Sequence, residues 1–132
     1  MITEDYVSFE TAKLLKEKGF DYYPDGSYWL IDSNNVMYWV SEIGTYDYVD
    51  VPTESFQRPK NGYRLVTQAM AMKWLREVHN IFIQVELYSK YDNYCFELFQ
   101  NTHRLMIEHR EVYNSYEETA ESAIKYCLKN LI

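Results

Sequence analysis

The stretch that decides the fold class is IFIQVELYSKYDNYCFELF, at residues 81–99. In its first part, residues 81–88, apolar side chains fall on every second position, which is the period of a β-strand with one buried face. The same alternation returns at residues 94–99, and the segment 89–93 between them is typical of a turn. The stretch therefore predicts an antiparallel β-hairpin.

A second hairpin is predicted nearer the beginning of the chain. Residues 28–31 and 36–41 are rich in aromatic and β-branched side chains, and they flank a polar, turn-forming sequence at 32–35. Residues 103–112 leave two interpretations open, because their alternating apolar side chains fit a further strand while a short helix also fits.

Three helices are marked by capping residues at their starts. Ser8 and Thr67 each precede an amphipathic stretch, and their hydroxyls can accept a hydrogen bond from a backbone N–H of the first turn. The second of these stretches ends before Asn80. Ser115 opens the third helix, where Glu118 completes a capping box, and apolar residues then recur with the helical period.

The order of these elements is helix, hairpin, long loop, helix, hairpin and helix. Hairpins imply antiparallel pairing, so we expect an α+β fold in which the two hairpins form one sheet and the three helices pack on it. The length of 132 residues fits a single domain over 1–132. The loop at about 43–66 is longer than a plain connection; such loops are often functional, and we expect this one to be ordered in part.

Charge and cysteine content narrow the classes of partner and compartment. The chain has 13 Lys and Arg against 20 Asp and Glu, a net charge of −7 that disfavours binding to phosphate backbones in general. Cys95 and Cys127 form no Cys-x-x-Cys pair, which is typical of two buried thiols in a reducing compartment. No secretory signal and no membrane-length apolar run is present, so we expect a cytoplasmic protein without a membrane partner.

The motifs that most enzymes need are missing from the sequence. It contains no glycine-rich nucleotide-binding motif, no phosphate loop and no Gly-x-Ser-x-Gly elbow, and it has only 4 glycines. His103 and His109 lack the spacing of a metal site, and Asp47 and Asp50 are expected to be solvated loop acids rather than a catalytic pair. We therefore expect no catalytic residue, no metal and no cofactor, and an enzyme is the least favoured class.

Aromatic residues are abundant, with 14 Tyr, 6 Phe and 3 Trp. Most lie on predicted strands and helix faces, where the core accounts for them. A remainder lies in the long loop and around the second hairpin turn, and tyrosine is favoured at protein interfaces. The residues predicted to bind another protein are Tyr46, Tyr48, Phe56, Tyr63, Tyr88 and Tyr91.

Nucleic acid gives a second hypothesis from the same loop. Its one basic stretch is interleaved with an aromatic side chain, which could stack on a base while the cations hold phosphates, although a solvated turn is the favoured interpretation. The residues concerned are Arg58, Lys60, Tyr63 and Arg64. A variant is mimicry of nucleic acid by acidic side chains, for which the candidates are Glu42, Asp47, Asp50 and Glu54.

Three segments together carry a resemblance to a known family: residues 8–20, residues 67–79 from Thr-Gln-Ala onward, and residues 116–132. In these segments the chain resembles a family of small phage- and prophage-associated proteins of Bacteroides and related bacteria. Val66 stands where that family is expected to have a proline. The resemblance implies a mobile-element origin and a bacterial cytoplasm, and it transfers no catalytic residue. The leading hypothesis is a phage-derived accessory protein that binds another protein without catalysis.

Overall fold

The structure is a computed structural model that describes residues 4–23, 28–40, 62–88, 93–107 and 111–132. The chain divides into two compact units. The first unit is residues 6–66, and the second unit is residues 1–5 with 67–132. The prediction of a single domain stays a prediction.

The first unit contains one helix and a three-stranded antiparallel sheet. Its elements are α1 (Phe9–Glu17), β1 (Tyr28–Ile31), β2 (Met37–Val40) and β3 (Tyr63–Arg64). The strands lie in the order β2-β1-β3. The hydroxyl of Ser8 accepts a hydrogen bond of 3.3 Å from the backbone N–H of Thr11, which confirms Ser8 as the cap that starts α1.

The turn of the first hairpin is held by one carboxylate. Asp32 Oδ1 accepts hydrogen bonds of 2.9 Å from the backbone N–H groups of Asn34 and Val36. Asn35 adopts a left-handed conformation with φ of 59°, a region that asparagine tolerates better than most residues. The predicted β1–β2 hairpin is therefore confirmed, with its turn built from the polar residues at 32–35.

The second unit has the order helix, three strands, helix. Its elements are α2 (Gln68–His79), β4 (Ile81–Leu87), β5 (Tyr94–Gln100), β6 (His103–Arg104) and α3 (Tyr116–Asn130). The strands are antiparallel in the order β4-β5-β6, with Ile83 directly opposite Leu98. The residues left open between strand and helix therefore include a two-residue strand, β6.

Both helices of the second unit begin at their predicted caps, and α2 also ends where its sequence predicts. The hydroxyl of Thr67 accepts from a backbone N–H three residues on, and Asn80 ends α2 in the left-handed conformation with φ of 55°. At α3, Ser115 accepts from the backbone N–H of Glu118 at 3.1 Å, and the Glu118 carboxylate accepts from that of Asn114 at 3.3 Å. The first bond satisfies an N–H group of the first turn that the helix itself leaves unpaired, and the second ties Glu118 to the residue before the cap.

The core of the second unit lies between its two helices and one face of the β4–β5–β6 sheet. The side chains of Ile81 and Leu98 on the sheet, of Leu75 on α2 and of Ile124 and Leu128 on α3 are all fully buried. The α3 residues follow the helical period and the sheet residues follow the period of two, so each element presents one apolar face to the other.

The α+β class with three helices is confirmed, and the prediction of a single sheet is wrong. Each hairpin gains a third strand of two residues, β3 beside β1 and β6 beside β5. Each hairpin therefore lies in its own three-stranded sheet, with β1 and β5 as the central strands. Strands of two residues carry too little alternation for a sequence pattern to reveal them.

Within the described ranges, no helix has the length and apolar character needed to cross a membrane.

Both cysteines are buried free thiols, as predicted. Burial raises the pKa of the Cys127 thiol from 9.0 to about 12. As the pH rises past 9, the unfolded chain therefore loses this proton before the folded chain does, and the folded state loses stability between pH 9 and about 12.

We expect the free energy of unfolding to fall with alkaline pH more steeply in the wild-type protein than in Cys127→Ala. Because one raised pKa distinguishes the two proteins, their difference should change by about 1.4 kcal/mol between pH 8 and pH 10. Urea denaturation followed by circular dichroism at several pH values measures it. If the stability of the two proteins changed with pH in parallel, the raised pKa of the Cys127 thiol would be contradicted.

Candidate functional site

The structure describes three of the residues predicted for a binding surface: Tyr63, Arg64 and Tyr88. Tyr63 and Arg64 form β3 in the first unit, and Tyr88 follows β4 in the second unit with 55% of its surface exposed. The predicted residues outside the described ranges are Tyr46, Tyr48, Phe56, Arg58, Lys60 and Tyr91. The acidic candidates Glu42, Asp47, Asp50 and Glu54, as well as His109, also lie outside them. His103 is exposed on β6.

Tyr63 and Arg64 line a cleft of about 310 Å³ in the first unit, here called the tyrosine–arginine cleft. It is formed by the end of α1, the segment after α1, and strands β1 and β3. Its lining residues are Lys16, Asp21, Tyr23, Tyr28, Leu30, Gly62, Tyr63 and Arg64.

Arg64 lies against two tyrosine rings of this cleft. The register of β1 and β3 places Arg64 opposite Leu30, and Tyr28 is two residues before Leu30, so the three side chains share one face of the sheet. The guanidinium carbon is 4.1 Å from the centre of the Tyr28 ring and 4.9 Å from that of Tyr23. Cation–π attraction to two rings fixes the direction of the arginine side chain.

Tyr23 reaches the cleft because α1 ends sharply. Gly19 has φ of +93°, a conformation that favours glycine, and the next N–H, that of Phe20, donates to the carbonyl of Leu15 at 2.9 Å. Phe20 is then buried, with 1% of its surface exposed. The Tyr23 ring packs edge-on against Phe20 with ring centres 5.1 Å apart. The helix end and the buried phenylalanine together position the tyrosine.

Tyr63 is tied to the helix of the same unit. Its ring is 5.5 Å from that of Phe9, in an edge-on arrangement, and its backbone pairs with Ile31 in the sheet. The side chain is half-buried. This residue therefore connects α1 to the sheet as well as lining the cleft.

The charges of the cleft are two cations and one carboxylate. Lys16 Nζ lies 5.8 Å from the centre of the Tyr23 ring, and Arg64 contacts the same ring. Burial raises the pKa of the Tyr23 phenol, the Arg64 charge lowers it, and the Asp21 charge raises it, with a net upward shift. Tyr23 therefore stays a neutral hydroxyl in the cleft at neutral pH.

A second cleft, of about 330 Å³, lies in the second unit near the start of α2. Its lining includes the acids Glu4 and Asp5, the base Arg76 and the half-exposed ring of Tyr116. No residue from either predicted binding surface lines it. Among the described residues, no group of three or more His, Cys, Asp or Glu side chains is placed to hold a metal ion.

Of the residues that line the tyrosine–arginine cleft, the sequence predicts Tyr63 and Arg64 as binding residues, and it does not predict their neighbours Tyr23 and Tyr28. The sequence predicts Tyr28 in a strand, and no local pattern links Tyr23 or Tyr28 to the basic residues some forty positions later. The available signal is the pair of tyrosines at 22 and 23, which follow Gly19 at the end of α1 by three and four residues. Only the β1–β3 pairing brings these segments together.

Removing the charge of Arg64 and removing the charge of Asp21 should move the pKa of the Tyr23 phenol in opposite directions. Arg64→Gln should raise it further, because the positive charge that stabilises the tyrosinate is lost, and Asp21→Asn should lower it. Carbon NMR titration of protein labelled at the tyrosine ring measures both shifts. Lys73→Gln, an exposed lysine of α2 in the second unit, is the control and should leave Tyr23 unchanged. A Tyr23 pKa that is the same in the wild-type protein and in Arg64→Gln would contradict the contact between the two side chains.

Comparison with known proteins assigns no function to the tyrosine–arginine cleft. No protein family, no curated protein and no solved structure matches the chain.

Proposed function

We propose that this chain is a non-catalytic protein-binding module and that the tyrosine–arginine cleft receives a segment of its partner. The observation that carries the proposal is the position of Arg64, held against the rings of Tyr23 and Tyr28 at 4.9 and 4.1 Å. Tyrosine and arginine, together with tryptophan, are enriched among the side chains that dominate binding energy at protein interfaces.

The side chains of the cleft are held in place before a partner binds, and this favours affinity. A flexible arginine loses conformational entropy when it meets a partner, at a cost of roughly 0.5–1.5 kcal/mol for a side chain of this kind. Contacts with two rings already restrict Arg64, and the packing of Tyr23 on the buried Phe20 restricts that ring. Less entropy remains to be lost, so more of the contact energy contributes to binding.

The chemistry of the cleft favours a partner segment that carries a carboxylate. Arg64 and Lys16 line it with Asp21 as the one acid, although the chain as a whole carries −7. The guanidinium presents its N–H groups in a plane that matches the two oxygens of a carboxylate. The tyrosine rings around it supply apolar area together with hydroxyl groups for hydrogen bonds.

The proposed setting is the cytoplasm of a bacterial host, with the chain acting as an accessory protein of phage or prophage origin. The resemblance to phage- and prophage-associated proteins of Bacteroides supports that origin. The two buried free thiols are typical of a reducing compartment. The partner is then a protein of the host or of the mobile element.

The test is affinity capture from a lysate of Bacteroides cells with wild-type protein, Arg64→Gln and Arg104→Gln. Arg104 is a matched control because it is also the second residue of a two-residue strand, but in the other unit. A partner that uses the cleft should be retained by wild-type protein and by Arg104→Gln. It should bind Arg64→Gln about 30-fold more weakly, which corresponds to the loss of one dominant interface residue, about 2 kcal/mol.

The conservative variant Arg64→Lys separates charge from shape. Lysine keeps the positive charge but lacks the planar set of donors, so affinity between those of wild type and Arg64→Gln is expected. Circular dichroism of each variant checks the fold. Equal capture of the same proteins by wild type and Arg64→Gln would contradict the proposal.

Nucleic acid remains the second candidate, because the cleft combines two cations with aromatic rings. The charge of −7 opposes it, so we expect no saturable binding of labelled single-stranded DNA, duplex DNA or RNA by fluorescence anisotropy, even at about 50 mM salt. Binding that weakens with salt and is lost in Lys16→Gln and Arg64→Gln, but not in Lys73→Gln, would replace protein binding as the function of the cleft.

A further inference from the structure

Asp21 is the residue of the tyrosine–arginine cleft whose charge the binding of a carboxylate does not explain. It follows α1, its side chain is exposed, and it lines the cleft together with the cations Arg64 and Lys16. A carboxylate in the wall of a cleft repels an occupant that carries only negative charge. Asp21 therefore opposes a purely anionic segment.

The carboxylate of Asp21 does not neutralise the cations beside it. Within the described ranges, it forms an ion pair with neither Arg64 nor Lys16, although all three line the same cleft. The two cations lie against the ring of Tyr23 instead, Arg64 at 4.9 Å and Lys16 at 5.8 Å from its centre. The cleft therefore presents both signs of charge to an occupant.

The phenol of Tyr23 lies close to both signs of charge. Burial has the largest effect on its pKa and raises it, and of the two charges Arg64 lowers the pKa while Asp21 raises it. Coulomb interactions weaken with distance and are screened by salt, so two such effects on one hydroxyl place both charged groups near the same ring. An occupant that reaches Tyr23 can therefore meet both.

We propose that the cleft selects a dipolar segment of the partner, in which a carboxylate meets Arg64 and an ammonium or guanidinium group meets Asp21. Asp21 is then the residue that determines specificity. This inference rests on the proposed function, because it concerns the same cleft. A segment that carries acids alone is attracted by the cations and repelled by Asp21, whereas a segment with both charges is attracted at each end.

The size and the walls of the cleft fit such a segment. Its volume of about 310 Å³ is at the small end of the range for ligand pockets, so it suits one or two side chains. Its uncharged walls are tyrosine rings and the side chain of Leu30. Walls of this kind can cover the methylene groups of a lysine or arginine while its charged end reaches Asp21.

Discrimination against other anions follows from the same carboxylate. A phosphorylated or polyacidic segment is attracted more strongly by Arg64 and Lys16, but it also brings more negative charge to Asp21. Specific binding surfaces commonly combine attraction for the correct partner with such a repulsive element against others. Asp21 therefore lowers the affinity for polyanions and leaves dipolar segments favoured.

A library of random short peptides displayed on bacteriophage tests the inference with the full chain. The wild-type protein should enrich peptides that carry both an acidic and a basic residue. Asp21→Asn should enrich acidic peptides without preference for a basic residue, because only the cations of the cleft remain. Glu77→Gln removes an exposed carboxylate from the second unit, so it matches the loss of charge and should select as the wild type does.

One enriched peptide, made synthetically, measures the coupling to Asp21 directly. Its affinity should fall about fivefold in Asp21→Asn, which is the upper range for an exposed ion pair. Replacing the basic residue of the peptide by glutamine should have a similar effect on wild-type protein and little further effect on Asp21→Asn, because both changes remove the same interaction. Fluorescence anisotropy of the labelled peptides gives the four affinities.

The outcomes separate this inference from the proposed function. If wild-type protein and Asp21→Asn enrich the same peptides, or if the two changes in the cycle act independently, Asp21 does not determine specificity. Peptides that are still lost in Arg64→Gln would then leave the cleft as the binding site. If no enriched peptide depends on Arg64, the proposed function fails and this inference fails with it.

Discussion

Leu98 lies opposite Ile83 in the β4–β5 ladder, and this register decides what each face and edge of the second sheet presents. A slip of one residue would turn every β4 side chain to the other face and would expose Ile81 and Ile83 to water. The two helices hold the register by burying the face that carries these residues. The same constraint fixes which backbone groups of β4 point away from β5, so the core of the second unit and the outer edge of its sheet are consequences of one pairing.

Register has the same role in the first unit. Arg64 belongs to a strand of two residues, which would carry little structural information alone. Its place opposite Leu30 puts the guanidinium on the face of the sheet that carries Tyr28. The end of α1 at Gly19 brings Tyr23 to the same guanidinium. A shift by one position would turn Arg64 to the other face of the sheet and put Tyr63 beside Tyr28 instead.

The parts of this fold that the sequence predicts are those in which the deciding signal is local. The caps at Ser8, Thr67 and Ser115 are read from one residue and the stretch that follows. The first hairpin is read from runs of aromatic and β-branched residues around a polar turn, and the second from alternation on either side of a turn. The strands β3 and β6 have no such signal, because two residues show no period. The cleft has none either, since Tyr23, Tyr28 and Arg64 are brought together only by tertiary pairing.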